Sequence, residues 1–222
     1  MGWFSKKEPD QGQEIKPKDP IGKDVTPSLS AEELSKLDAI MLVDCSGSMG
    51  IASNRMPGRD RLGEVEEVAG AIAREAEQYD DDGLTLVAFG SMSRMFDGVT
   101  AANVHDAFSR FGNMGSTNLA AAINDAVSKA RMSDKDVVII GYTDGRPDSE
   151  GAVIKAIKSA AKEFGRPRIG FTLVQVGNDP GAAQFLDKLD NDMGSIDVVA
   201  CVTAAEAEGL SYGQLAWLAR NA

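Results

Sequence analysis

The chain is poor in the residues that build covalent staples or imidazole chemistry. Its 222 residues include two cysteines and one histidine. Cys45 and Cys201 form no CxxC pair, which argues against a disulfide framework and against a cysteine zinc site. His105 alone would have to carry any imidazole-dependent catalysis, and it reads instead as a surface histidine on a helix. Positive charge is also short: 23 Lys and Arg stand against 34 Asp and Glu, a net charge of −11. That argues against nucleic acid as the main partner, because phosphate binding needs a basic face. It argues equally against a polybasic membrane anchor, while an acidic surface draws cations. No apolar run approaches the ~18–20 residues of a membrane span. The opening MGWFSKKEPDQ lacks the apolar core of a secretory signal, and Lys6 stands where a myristoylation signal needs Ser or Thr. The expected compartment is the cytoplasm.

What the chain does have is a globular composition, 43% hydrophobic and 26% charged, at a length that supports one sizeable core. Residues 1–29 read as a flexible tail, since Pro9, Pro17, Pro20 and Pro27 are spread there among Lys, Asp, Gln and Gly. Trp3 and Phe4 are unusual in such a segment and suit either a docking hook or simple exposure. A domain is expected over 30–222. It opens on Ser30 and Glu33, a capping-box pattern that predicts a short helix to about Leu37.

Alternating elements follow. Ala39–Val43 is an apolar run of the fully buried strand type. Leu62, Val65, Val68, Ala69, Ile72, Ala73 and Ala76 recur at helical spacing and predict a helix over Arg61–Gln78. Asp80, Asp81, Asp82 and Gly83 read as a solvated turn. Leu84–Phe89 is a strand, and Arg94–Val99 a more polar one, suited to an antiparallel edge. Helices are expected over Ala101–Phe111 and Thr117–Ala130, a strand over Val137–Tyr142 and a helix over Ser149–Phe164. A strand over Arg168–Val176, a helix over Ala182–Leu189, a strand over Asp197–Cys201 and a helix over Tyr212–Ala219 complete the series. Strands separated by long helices imply right-handed crossovers and a mostly parallel sheet covered on both faces. In such open α/β sheets, ligands bind beyond the carboxyl ends of central strands.

Three of these strand ends and turns carry the same chemistry. The first strand runs into Asp44, Cys45, Ser46, Gly47 and Ser48. The turn 112–116 delivers Ser116 and Thr117 to a helix start, and the strand ending at Tyr142 continues into Thr143, Asp144 and Gly145. Parallel strands would bring all three to one edge. Two carboxylates and several hydroxyls form a hard-oxygen donor set, which suits magnesium or manganese with about six oxygen ligands, some of them water. Taken singly, Asp44 suits a helix cap, Ser46 and Ser48 suit a turn, Thr117 suits a cap and Asp144 a turn. Their joint placement at strand ends favours a metal site.

DCSGSMG, the threonine of GSTNL and the TDG of GYTDGRPD resemble the three motifs of the von Willebrand factor type A domain over roughly residues 36–222. The resemblance implies a metal-ion-dependent adhesion site with Asp44, Ser46, Ser48, Thr117 and Asp144 as ligands. It also implies a doubly wound, Rossmann-like α/β sheet of order 3-2-1-4-5-6 with strand 3 antiparallel. Magnesium is the expected cation, with Mn²⁺ and Ca²⁺ as alternatives. The implied partner is a protein presenting a Glu or Asp carboxylate to the metal, and bacterial relatives suggest an AAA+ ATPase or a stress-response component. In that strand order, cysteines at the ends of strands 1 and 6 stand about 14 Å apart at ~4.8 Å per strand, too far for a disulfide. The expected role is therefore an adaptor and not an enzyme. The alternative is a magnesium-dependent phosphatase with Asp44 as nucleophile. Against it, Ser46 stands where such enzymes commonly place a second acid. Arg55, Arg59, Arg61 and Arg146 lie near the site in sequence, either offsetting its negative field or pairing with local acids.

Overall fold

A six-stranded sheet in the order β3-β2-β1-β4-β5-β6 organises the chain. The computed structural model describes residues 21–191, 193–194 and 198–222. Helix α1 (Ala31–Leu34) precedes β1 (Leu37–Asp44), a 3-10 turn (Gly47–Gly50), α2 (Arg61–Ala76), β2 (Leu84–Phe89), β3 (Ser93–Val99) and α3 (Val104–Ser109). Then come α4 (Leu119–Ala130), β4 (Asp136–Thr143), α5 (Glu150–Phe164), β5 (Ile169–Gln175), α6 (Pro180–Asn191), β6 (Val199–Thr203) and α7 (Tyr212–Asn221). Among the described strands of the sheet, β2–β3 is the one antiparallel pair. This matches the architecture expected from the sequence, including the polar edge strand.

Alternation along the strands explains the two layers. Met41 and Val43 of β1, with Val138, Ile140 and Tyr142 of β4, pack under α1, α2, α3 and α7. Ile40 and Leu42, with Ile139, Phe171 and Leu173, pack under α4, α5 and α6. Leu42 is fully buried; removing its side chain to Ala would cost about 2–5 kcal/mol. With both faces covered, the central strands read as continuous apolar runs rather than alternating ones.

Several boundaries differ from the sequence expectation for local reasons. Helix α1 stops at Leu34, because Leu37 already pairs with β4 at Asp136. Helix α3 is shorter at both ends; Asn103 caps the preceding turn through Oδ1, which accepts the Thr100 N–H at 2.8 Å. Strand β6 begins at Val199, two residues later than expected, so Cys201 lies within the strand; Asp197 lies outside the described residues. Cys45 and Cys201 sit on opposite faces of the sheet. Residues 21–29 lie against α7: Leu29 is buried, its N–H donates to the Gly213 carbonyl, and Gln214 Nε2 donates to the carbonyls of Lys23 and Thr26. Trp3 and Phe4 lie outside the described residues. Among the described residues, no helix is long and apolar enough to cross a membrane.

Candidate metal centre

The chain leaves β1 for β2 and β3 on one side, then returns to place β4, β5 and β6 on the other. The order therefore reverses between β1 and β4, the point where an open sheet forms a crevice at its carboxyl edge. The register sets Val43 beside Tyr142, so Asp44 and Thr143 emerge together. Asp44 is completely buried and Asp144 is 1% exposed.

Asp44 accepts the Ser46 N–H at Oδ1 (2.8 Å) and the Thr143 hydroxyl at Oδ2 (2.6 Å). Burial raises its pKa above the ordinary carboxylate value, the bonds from Thr143 and Ser46 oppose that rise, and the charge of Asp144 adds to it. Ser46 Oγ and Ser48 Oγ are 3.1 Å apart, and Ser48 donates to Asp144 Oδ1 at 2.7 Å. Thr117 is buried, and its Oγ1 would lie 3.6 Å from a Cβ placed on Gly145, with Ser48 Oγ 4.0 Å from the same point. The structure thus brings Asp44, Ser46, Ser48, Thr117 and Asp144 into one cluster at the sheet edge. Two buried carboxylates against three hydroxyls form a donor set that fits a hard divalent cation better than a self-contained polar network, because buried charge needs compensation.

Backbone straps hold the three loops together. Met114 N donates to the Cys45 carbonyl and Gly47 N to the Gly115 carbonyl. A side chain on Gly90 would overlap the Met114 backbone, so this glycine lets the 112–116 loop lie on the end of β2. Asn118, not Thr117, caps α4, with Oδ1 accepting from Ala121 N at 3.2 Å. Thr117 is left to bond Asp148 both ways: its N–H donates to Asp148 Oδ1 (3.1 Å), and its carbonyl accepts the Asp148 N–H (3.0 Å).

Sequence reasoning missed three contributors. Thr143 was visible only as a neighbour of Asp144. Asp148 carries no signal of its own along the chain. Arg61 is one of four arginines near the motif that nothing along the chain tells apart. The structure separates them: Arg55 pairs with Glu64 and Glu208, Arg59 with Glu67, and Arg146 with Glu150. Arg61 alone among the four reaches the cluster, where it donates to Asp144 Oδ2. Cys45 is buried beside Asp44, and its thiol is pushed up to about 12, chiefly by burial, as fits a packing residue and not a reactive one. Away from this edge, the carboxylates of Asp80, Asp81 and Asp82 lie within 4.8 Å of one another. Asp80 there is paired with Lys135 at 2.9 Å. His105 is exposed on α3 and bonded to Glu66 at 2.6 Å.

No family model matches the sequence, and no curated protein matches it. Solved structures do match its fold. A von Willebrand factor type A protein from Catenulispora acidiphila superposes with a TM-score of 0.59 at 16% identity, over 82% of this chain and 42% of that one. The SpRpn10 VWA domain gives 0.60 at 14% identity, over 80% of this chain and 97% of that one. The manganese-loaded TRAP protein of Plasmodium vivax gives 0.56 at 18% identity, over 84% and 75%. The chain therefore spans less than half the length of the Catenulispora protein, and at these identities the likeness is one of fold. The six-stranded sheet, its order and its single antiparallel edge are those of the von Willebrand factor type A domain.

Proposed function

We propose that this chain is a metal-dependent protein-interaction domain, with residues 30–222 as its working unit. Asp44, Ser46, Ser48, Thr117 and Asp144 hold one divalent cation, with Mg²⁺ the first candidate. The cation supplies a Lewis-acidic position for an oxygen ligand from outside the chain. The chain's own residues do the rest. β1 carries Asp44 as its last residue and β4 holds Asp144 just beyond its end, the Thr143 hydroxyl and Ser46 N–H orient Asp44, and Asp148 positions Thr117.

The observation that carries this reading is the pair of buried carboxylates faced by three hydroxyls at the point where the sheet order reverses. Three of the five donors are hydroxyls, which carry no charge, so the set adds no negative charge beyond its two carboxylates and leaves a divalent cation able to accept a further oxygen ligand. A Glu or Asp side chain of a partner protein fits that position. One structural neighbour of the same fold is manganese-loaded, which supports a divalent cation as the ligand. The resemblance suggests an AAA+ ATPase or a stress-response component as the partner, met in the cytoplasm. Binding is favoured over catalysis because Ser46 stands where a phosphatase with Asp44 as nucleophile commonly places its second acid.

The test is affinity capture from the source cell with Mg²⁺ or EDTA, with Asp44→Ala as control. A partner held in Mg²⁺, released by EDTA and absent with Asp44→Ala is expected. Capture that persists in EDTA refutes the reading.

A further inference from the structure

Arg61 is a guanidinium built into the candidate metal centre. It is the first residue of α2, whose N-cap Asp60 accepts the Gly63 N–H at 2.7 Å. The Arg61 N–H is itself tied to the Ile51 carbonyl at 3.0 Å. From that fixed root the side chain, 14% exposed, crosses to Asp144 Oδ2. It lies flat over Gly177: a Cβ there would stand 2.8 Å from Cζ and 2.9 Å from Nε and Nη2. Gly177 has φ +72°, so this residue serves the backbone turn and leaves room for the guanidinium as well. Asp144 is thereby engaged on both oxygens, by Ser48 on one and Arg61 on the other.

Charge counting gives this arrangement a consequence. Asp44 and Asp144 against Arg61 leave one uncompensated negative charge, and a divalent cation turns that into one positive charge. Without Arg61 the loaded site would be neutral. Asp148, the other carboxylate of these loops, is exposed and screened by solvent. We infer that Arg61 sets the balance of this centre: it weakens cation binding through its hold on Asp144, and it keeps the loaded site positive so that it selects an anionic oxygen. This inference rests on the metal reading above, and it assigns the selectivity for a carboxylate to a residue outside the ligand set. Arg61 is a positioning and charge-setting residue; like charges at contact range inside a buried site interact far more strongly than in water.

The experiment is Mn²⁺ titration of the full chain by calorimetry, with circular dichroism to verify folding. Arg61→Gln is expected to bind Mn²⁺ at least about tenfold more tightly than the wild type, because a repelling charge has gone. Gly177→Ala keeps the arginine but displaces its guanidinium, and should shift affinity the same way if Arg61→Gln fails to fold. Repeating the titration in acetate, against chloride at equal ionic strength, reads selectivity. The gain in Mn²⁺ affinity that acetate brings to the wild type should shrink at least about threefold in Arg61→Gln, as expected for linked binding. Mn²⁺ affinity that is unchanged or weaker in the variants, or an undiminished acetate effect, overturns this inference and leaves the metal reading standing. An absence of Mn²⁺ binding in the wild type and in both variants overturns the two together.

Discussion

Asp44→Asn separates a metal ligand from a structural cap. In the wild type without cation, the Asp44 carboxylate is completely buried and its pKa is raised by that burial. Its compensation is one N–H at 2.8 Å and one hydroxyl at 2.6 Å. Burying a charge costs several kcal/mol and these two bonds offset it only in part, since the pKa stays raised; a residual deficit of about 1–2 kcal/mol is the size of one hydrogen bond to a charged group. Asparagine keeps the shape and can still accept from Ser46, while the Thr143 hydroxyl can turn to accept from the amide. In EDTA, Asp44→Asn should therefore be more stable than the wild type. For a chain of this size the gain corresponds to about 2–8 °C in Tm. Saturating Mg²⁺ reverses the order: at 100 times Kd a cation that binds only the folded state adds about 2.7 kcal/mol to the wild type, or about 5–11 °C, and nothing to the variant. Thermal unfolding followed by circular dichroism, with EDTA and with Mg²⁺, reads both effects. A variant less stable than the wild type in EDTA, together with a wild type indifferent to Mg²⁺, would show that Asp44 is a cap and that the reasoning here is wrong.

Four further outcomes test other parts of the structure. Cys45 should resist a thiol reagent at pH 8 in the folded protein and react once denaturant is added, since its thiol is buried and pushed up to about 12; rapid native labelling at Cys45, located by mass spectrometry, would contradict this. His105 is the sole histidine, so its NMR titration is unambiguous. Its pKa is raised by its hydrogen bond to the Glu66 carboxylate, so its midpoint should lie above 6.5 and fall toward 6.5 in Glu66→Gln. The stability this pair adds is present below the unfolded pKa and is lost as pH rises through the folded one. Gly170→Ala would drive a methyl into the Ala219 carbonyl of α7 and should cost at least about 1–3 kcal/mol in urea unfolding. Gly151→Ala on α5 meets open space and should add about 0.5–1 kcal/mol.

Much of the fold was legible because burial on both faces leaves a strong local signature. Ala39–Val43 is apolar throughout, Leu84–Phe89 is apolar but for Thr85, and α2 repeats its apolar residues at helical spacing, so their type and nearly their limits could be read from the chain. The ends of α1, α3 and β6 could not, because they depend on which hydrogen bonds win between segments distant in sequence. Leu37 fits the end of a helix by local pattern and becomes a strand residue only when β4 lies beside it.

The same division holds for the candidate site. By itself the sequence determined which carboxylates and hydroxyls stand at the strand ends and before α4, the proposed donors Asp44, Ser46, Ser48, Thr117 and Asp144, since strand direction and residue type are local. Tertiary structure alone decided how their charge is managed. Asp44 gains Thr143 from a strand 99 residues away in sequence, Thr117 gains Asp148 from another loop, and Asp144 gains Arg61 from 83 residues away. Four arginines near the motif look equivalent along the chain. Only one of them has a glycine opposite that leaves room for its guanidinium to reach the buried carboxylate. Charge compensation acts through space over a few ångströms, and no local pattern encodes which distant residue will stand there.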